Sequence, residues 1–183
     1  MLIRSRGIFV SLCLFWSLVV CAQTPSAPKT KWNQEPTAFR GIPWGTSEKE
    51  AKKLVPMVFC NTSQCIAPFS LGSVNVSTYL SFIKDRFVAV TASFKADGYE
   101  TVKMAFMDKY GPPTSTANST VQNRLNATLQ QEELKWDGKT VYIELRRLGT
   151  DLTQGTFVIE TQEYRATEEK NGSADKSKLK DAL

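Results

Sequence analysis

Chemistry in this chain must come from carboxylates, cysteines, tyrosines and arginines, because its 183 residues include no histidine. That absence removes Ser-His-Asp and Cys-His catalysis, histidine-ligated zinc and histidine pH switches together. No Walker A loop, GxGxxG fingerprint or GxSxG elbow is present either. Glu132, Glu133, Glu144, Glu160 and Glu163 are the acids from which a carboxylate-based hydrolase could draw its acid and its base. Those two roles require burial that drives the two pKa values apart, and acids spread along surface strands are ordinarily just solvated. The expectation is no catalytic residue, no metal and no cofactor.

Cys60 and Cys65 are the cysteines outside the apolar N-terminal run. Asn61-Thr62-Ser63-Gln64 between them is turn-rich, so the pair can clip a hairpin or tight loop. A redox-active pair is the sharper alternative. The CxxxxC spacing, with no helix N-terminus or basic neighbour to lower a thiol pKa, favours a structural disulfide. Asn61, Asn75, Asn118, Asn126 and Asn171 each begin an N-x-Ser/Thr triplet, a glycan acceptor in a eukaryotic secretory chain and a chance product of Ser/Thr richness otherwise.

The N-terminus has the three parts of an export signal. Arg4 and Arg6 give the positive start, Ile8 to Cys21 is almost wholly apolar, and Val20-Cys21-Ala22 precedes a cut at Gln23. The run is shorter than the about 20 apolar residues of a permanent span. Residues 1–22 are thus read as a signal peptide, with lipid attachment at Cys21 or a retained anchor as alternatives. No later segment is long and apolar enough to cross a membrane. The formal charge of +5 comes partly from that leader. The remaining bases form no concentrated stripe, which argues against nucleic acid as a partner.

Composition, 42% hydrophobic and 22% charged, is that of one globular domain. Residues 23–38, with Pro25, Pro28 and Pro36, read as an extended linker; residues 39–164 as the domain; residues 165–183 as a charged, flexible tail, frayed or weakly helical. Ser47 and Glu50 form a capping box for a short helix ended by Pro56, and Asp97 and Glu100 form a second. Tyr99, Val102, Phe106 and Tyr110 make the second helix's apolar stripe, and Gly111-Pro112-Pro113 stops it. Alternation over Ser73–Ile83, Phe87–Phe94, Lys139–Arg147 and Thr156–Tyr164 predicts half-buried antiparallel strands, with Val76, Leu80, Val90 and Ile143 inward. Thr114–Gln131 is polar and ambiguous, a loop with one edge strand, and Asp137-Gly138 signals a two-residue hairpin. The predicted fold is α+β in two layers. An antiparallel sheet of five or six strands carries two helices on one face, with an α-β-β-β pseudo-repeat.

Gly41-Ile-Pro-Trp-Gly-Thr-Ser47, Lys109-Tyr-Gly-Pro-Pro113 and Leu134-Lys-Trp136 resemble segments of small, mostly uncharacterised exported bacterial proteins. The layout is similar to the two-layer modules of β-lactamase inhibitor proteins and outer-membrane-assembly lipoproteins. The resemblance implies a periplasmic or extracellular address and an activity of binding, with an envelope protein as partner. The alternation itself places Tyr79, Phe87, Tyr142, Glu144, Arg146, Val158, Glu160 and Tyr164 on the wet side of the sheet. Tyrosine and arginine there suit an interface; an ordinary wet face with an Arg146–Glu160 cross-strand pair is the plainer reading. A carrier with a groove between helices and sheet is a third possibility. Gly41, Pro43, Trp44 and Gly45 read as a structural corner rather than a ligand loop.

Overall fold

A computed structural model describes Trp32, residues 34–123 and residues 125–181, with side chains through residue 172. The expected leader, its alternative lipid site at Cys21 and residues 23–31 of the expected linker lie outside the described residues. The chain is α+β. A hairpin of β1 (Ala38–Phe39) and β2 (Ile42–Pro43) leads into helix α1 (Glu48–Leu54). Strands β3 (Phe59–Cys60), β4 (Gln64–Ile66), β5 (Phe69–Leu71), β6 (Val74–Ile83) and β7 (Arg86–Lys95) follow. Helix α2 (Tyr99–Tyr110) precedes β8 (Ser115–Gln122), β9 (Thr128–Asp137), β10 (Val141–Arg146) and β11 (Gln154–Thr161), and helix α3 (Gln162–Asp181) is the last described element.

One nine-stranded antiparallel sheet runs in the order β3-β4-β6-β7-β11-β10-β9-β8, with β5 also paired to β6. The sheet is larger than the expected five or six strands. Each half of the chain supplies a helix and then a meander, and the halves join where β7 pairs β11. The halves hold five and four strands, not the three of the expected α-β-β-β unit.

The alternating positions fill one face as predicted. Val76, Leu80, Val90 and Ile143 are 1% exposed or less and share a cluster with Phe106, Trp136 and Phe157. Phe106 stands at the centre of that cluster, 4.9 Å from Phe157 and 5.9 Å from Trp136 between ring centroids. Trp136 Nε1 donates to the Gly111 carbonyl at 2.9 Å, so the indole's polar atom is satisfied where the helix exits. Ala51 and Val55 bring α1 to the same cluster.

Local signals had mixed outcomes. Ser47 accepts from the Glu50 amide as an N-cap should, while the Glu50 carboxylate goes to Lys53. The expected Asp97 cap is not formed. A 3₁₀ turn over Ala96–Gly98 leads into α2, with Gly98 at the cap position and pressed on Val74, where a Cβ would lie 2.8 Å from both methyls. Gly111 does end the helix, at φ +75°.

Two boundary expectations are corrected. The linker does not stay free up to residue 38: Trp32 is buried and its Nε1 donates to the Tyr110 carbonyl at 2.8 Å. The Glu35 carboxylate accepts from the amides of Lys139, Thr140 and Val141 and from the Thr140 hydroxyl. That clamp shapes the β9–β10 connection, where Asp137 pairs with Tyr142 around four residues instead of the expected two. At the other end, strand β11 stops at Thr161 and the charged tail is helical from Gln162. Its second-turn guanidinium, Arg165, sits over the Tyr142 ring on the sheet face opposite α2. No helix among the described residues is long and apolar enough to cross a membrane.

Cys60 and Cys65 are directly opposite in the β3–β4 register and are bonded. Closing so short a loop contributes about 2 kcal/mol by restricting the unfolded chain. The Cys60→Ser/Cys65→Ser protein is accordingly expected to unfold at lower urea with an unchanged β10–β11 core. Equal midpoints with and without reductant would remove the disulfide from the stability of the fold.

Candidate functional site

The sheet face away from α2 carries the residues picked out by alternation, and register decides which of them meet. Directly opposed residues share a face, so pairings read across strands define rows. One row runs Phe59–Ile66–Tyr79–Thr91–Val158–Glu144–Lys135. The next runs Ser77–Ser93–Thr156–Arg146–Glu133. At roughly 4.8 Å per strand, the uncharged part from Phe59 to Val158 spans about 19 Å. Phe59 is 60% exposed and Tyr79 40%. Small hydroxyl residues in the neighbouring row, Ser77, Ser93 and Thr156, border Tyr79, Thr91 and Val158. Beyond them a polar groove of about 520 Å³ is lined by Asn75, Lys95, Thr153 and Gln154.

On the β9–β10 side the face turns ionic. Glu133 pairs with Lys135 and, at 3.2 Å, with Arg146; Glu144 also takes Arg146 and accepts from the Tyr142 hydroxyl at 2.7 Å. Arg146 is thus exposed but committed to β9 and its own strand. The expected Arg146–Glu160 pair does not exist, because the register sets Arg146 against Thr156 and Glu160 against Tyr142.

Three of the predicted face residues are not open on the face, each for an identifiable reason. Phe87 is fully buried. A register shift makes Ser81 face Ala89 and Phe82 face Phe87, so Val88 is the extra residue and the alternation flips there. Tyr142 is 6% exposed because the Arg165 guanidinium lies 3.6 Å from its ring centroid. Burial, then the hydrogen bond to Glu144, pushes the Tyr142 hydroxyl well above the ordinary tyrosine range. Tyr164 stands half-buried in the first turn of α3, not on a strand. Glu160 remains on the face beside α3; burial raises its carboxyl, the charges of Glu144, Glu169 and Glu168 add to that, and Arg165 opposes it.

Four of the five acids of the hydrolase alternative are divided between the two sheet faces and Glu163 lies on α3, and each has a cation beside it. Glu132 lies under α2, where Lys103 approaches at 2.7 Å and the Tyr99 hydroxyl donates at 2.9 Å. Burial alone would raise its carboxyl, yet the bonds from Lys103 and Tyr99 outweigh that and hold it below the usual value. Glu133 and Glu144 are held as above. Glu160 lies 4.0 Å from Arg165 and Glu163 lies 3.8 Å from Arg86. For the carrier alternative, the cavity between α2 and the sheet, lined by Phe39, Phe69, Phe106 and Phe157, amounts to about 140 Å³.

Phe59 and Ile66 are absent from the sequence reading. The signal was there in the cysteine spacing: once Cys60 faces Cys65 across a hairpin, Phe59 must face Ile66 on the opposite side of the ribbon. The corner residues behave as structure. Trp44 stacks on Phe87 with centroids 4.9 Å apart, and its Nε1 donates to the Pro36 carbonyl at 2.8 Å. No family model matches the chain, and no curated protein and no solved structure matches it.

Proposed function

We propose that this chain is an exported, non-catalytic module that docks a partner protein on the open sheet face, along the row from Phe59 to Val158. The single observation that supports it is the uncharged row itself. Two exposed aromatic rings, Ile66, Thr91 and Val158 line up across five strands, beside a fully paired ionic border. Interface centres are poor in charge and rich in aromatic residues, with polar rims. The non-catalytic part rests on the five glutamates, each of which has a lysine or arginine nitrogen within 4.0 Å. The exported address rests on the leader-like N-terminus and the Cys60–Cys65 bond, which suits an oxidising compartment.

Thr91 sits mid-row and exposed, so Thr91→Glu places a charge in the proposed contact without disturbing the core. Capture of envelope proteins by the wild-type chain is expected to weaken at least about tenfold with Thr91→Glu and with Phe59→Ser. Met104→Glu, equally exposed on α2, is expected to leave capture unchanged. Identical captured proteins and affinities for wild type, Thr91→Glu and Phe59→Ser, all folded by circular dichroism, would remove the face from the function.

A further inference from the structure

The two edges of the sheet are built differently. At one, β3 is two residues long and tied to β4 by the disulfide, which leaves little backbone to pair with anything else. At the other, β8 runs for eight residues, Ser115-Thr-Ala-Asn-Ser-Thr-Val-Gln122, in unbroken register with β9. It contains no charged residue, proline, glycine or bulge, the devices by which edge strands normally avoid further pairing. Among the described residues no strand lies on its outer side.

We propose that β8 is a self-association edge, on which a second copy of this chain adds its own β8 antiparallel and in register about Ser119. What the edge offers is a row of backbone N–H and C=O groups, and the group complementary to that is another extended backbone. The copy's own β8 is such a strand, and the symmetric pairing meets no repulsion. Around Ser119 the opposed pairs are Ala117 with Val121, Asn118 with Thr120 and Thr116 with Gln122.

Two facts choose this register over the one centred on Asn118. It sets the apolar side chains of β8, Ala117 and Val121, against each other. It also aligns the row of Glu132, the β9 residue opposite Asn118, with Gln130 of the second copy, whereas centring on Asn118 would align the two Glu132 rows.

Sedimentation velocity of the purified chain over a concentration series, under oxidising conditions, tests this. The wild type is expected to reach a dimer. Val121→Lys, which sets a lysine against Ala117 on the edge, is expected to lose the dimer while keeping the wild-type circular dichroism. Ser119→Cys reads the same contact in a chain whose edge chemistry is hardly changed, and is expected to form a disulfide-linked dimer that Thr101→Cys, on α2, does not form. A wild type that stays monomeric at the highest soluble concentration, a dimer unaffected by Val121→Lys, or no cross-link from Ser119→Cys would each overturn the proposal.

Discussion

Replacing Phe87 by alanine is expected to cost about 3–5 kcal/mol of folding stability, the range for a large aromatic removed from a closed core. Simple alternation from Val88, Val90, Ala92 and Phe94 would put this ring in water, where its loss should be nearly silent. The shift between Ser81/Ala89 and Phe82/Phe87 reverses that. The ring lies between Trp44, at 4.9 Å and 20° between planes, and Phe82, at 5.6 Å. Its backbone is tied to the same corner, with the Gly45 amide donating to the Phe87 carbonyl at 2.8 Å and the Phe87 amide donating to the Thr46 carbonyl at 2.9 Å. Removing the ring therefore leaves a cavity under an element that cannot collapse onto it. Tyr79→Ala, on the exposed row, is expected to change stability by about 0.5 kcal/mol or less. Urea unfolding of both proteins measures the contrast. Equal midpoints for the two variants would mean that Phe87 is not packed beneath Trp44.

The same residue shows what periodicity can carry. Where the ladder is regular, in β6 up to Ser81 and in β10 and β11, side-chain direction followed from the pattern: Val76, Leu80, Ile143, Leu145, Phe157 and Ile159 are all buried. A bulge changes direction without changing composition, so Phe87 could not be placed from its neighbours. The short strands β3, β4 and β5 are too brief to show a period and are missing from the expected strand count, while β8, wet on both faces, reads only as an edge strand without fixed bounds inside Thr114–Gln131. For the candidate face, Tyr79, Glu144, Arg146 and Val158 were legible because each lies in a regular stretch. Tyr142 was not, since what covers it is Arg165, from a segment whose hydropathy alone reads as a solvated tail. Phe59 and Ile66 needed register, which a disulfide implies and a hydropathy pattern does not.

The second large effect concerns the segment that reads as a tether. Trp32→Ala is expected to release position 32 and residues 34–37 from the body while leaving the sheet folded. Trp32 packs edge-on against Tyr110, 6.4 Å between centroids, and its N–H is spent on the Tyr110 carbonyl. Close fit continues along the strap: a Cβ at Gly111 would meet the Gln34 side chain at 2.6 Å, and one at Gly138 would meet Glu35 at 2.5 Å. A core tryptophan is worth about 3–5 kcal/mol, but here the loss cannot exceed what docking of the strap contributes, because the strap can leave as a unit. The sensitive readout is hence local. Amide exchange at Lys139, Thr140 and Val141, whose N–H groups the Glu35 carboxylate holds, is expected to quicken on the order of tenfold or more, while Ile143 and Leu145 keep their protection.

Acid should do the same through Glu35. Burial by itself would raise this carboxyl, but the Thr140 hydroxyl and the three amides outweigh it and lower its pKa. A carboxyl depressed by folding contributes fully above its unfolded pKa and loses that contribution as pH falls through the folded one. The strap is expected to stay docked at neutral pH and to loosen only below the ordinary carboxylate range, and Glu35→Gln is expected to abolish that acid step. If Trp32→Ala left exchange at residues 139–141 unchanged, or Glu35→Gln kept the acid step, the strap would not be what fixes the β9–β10 connection. The four-residue loop around Asp137 and Tyr142 would then owe its shape to its own turn chemistry.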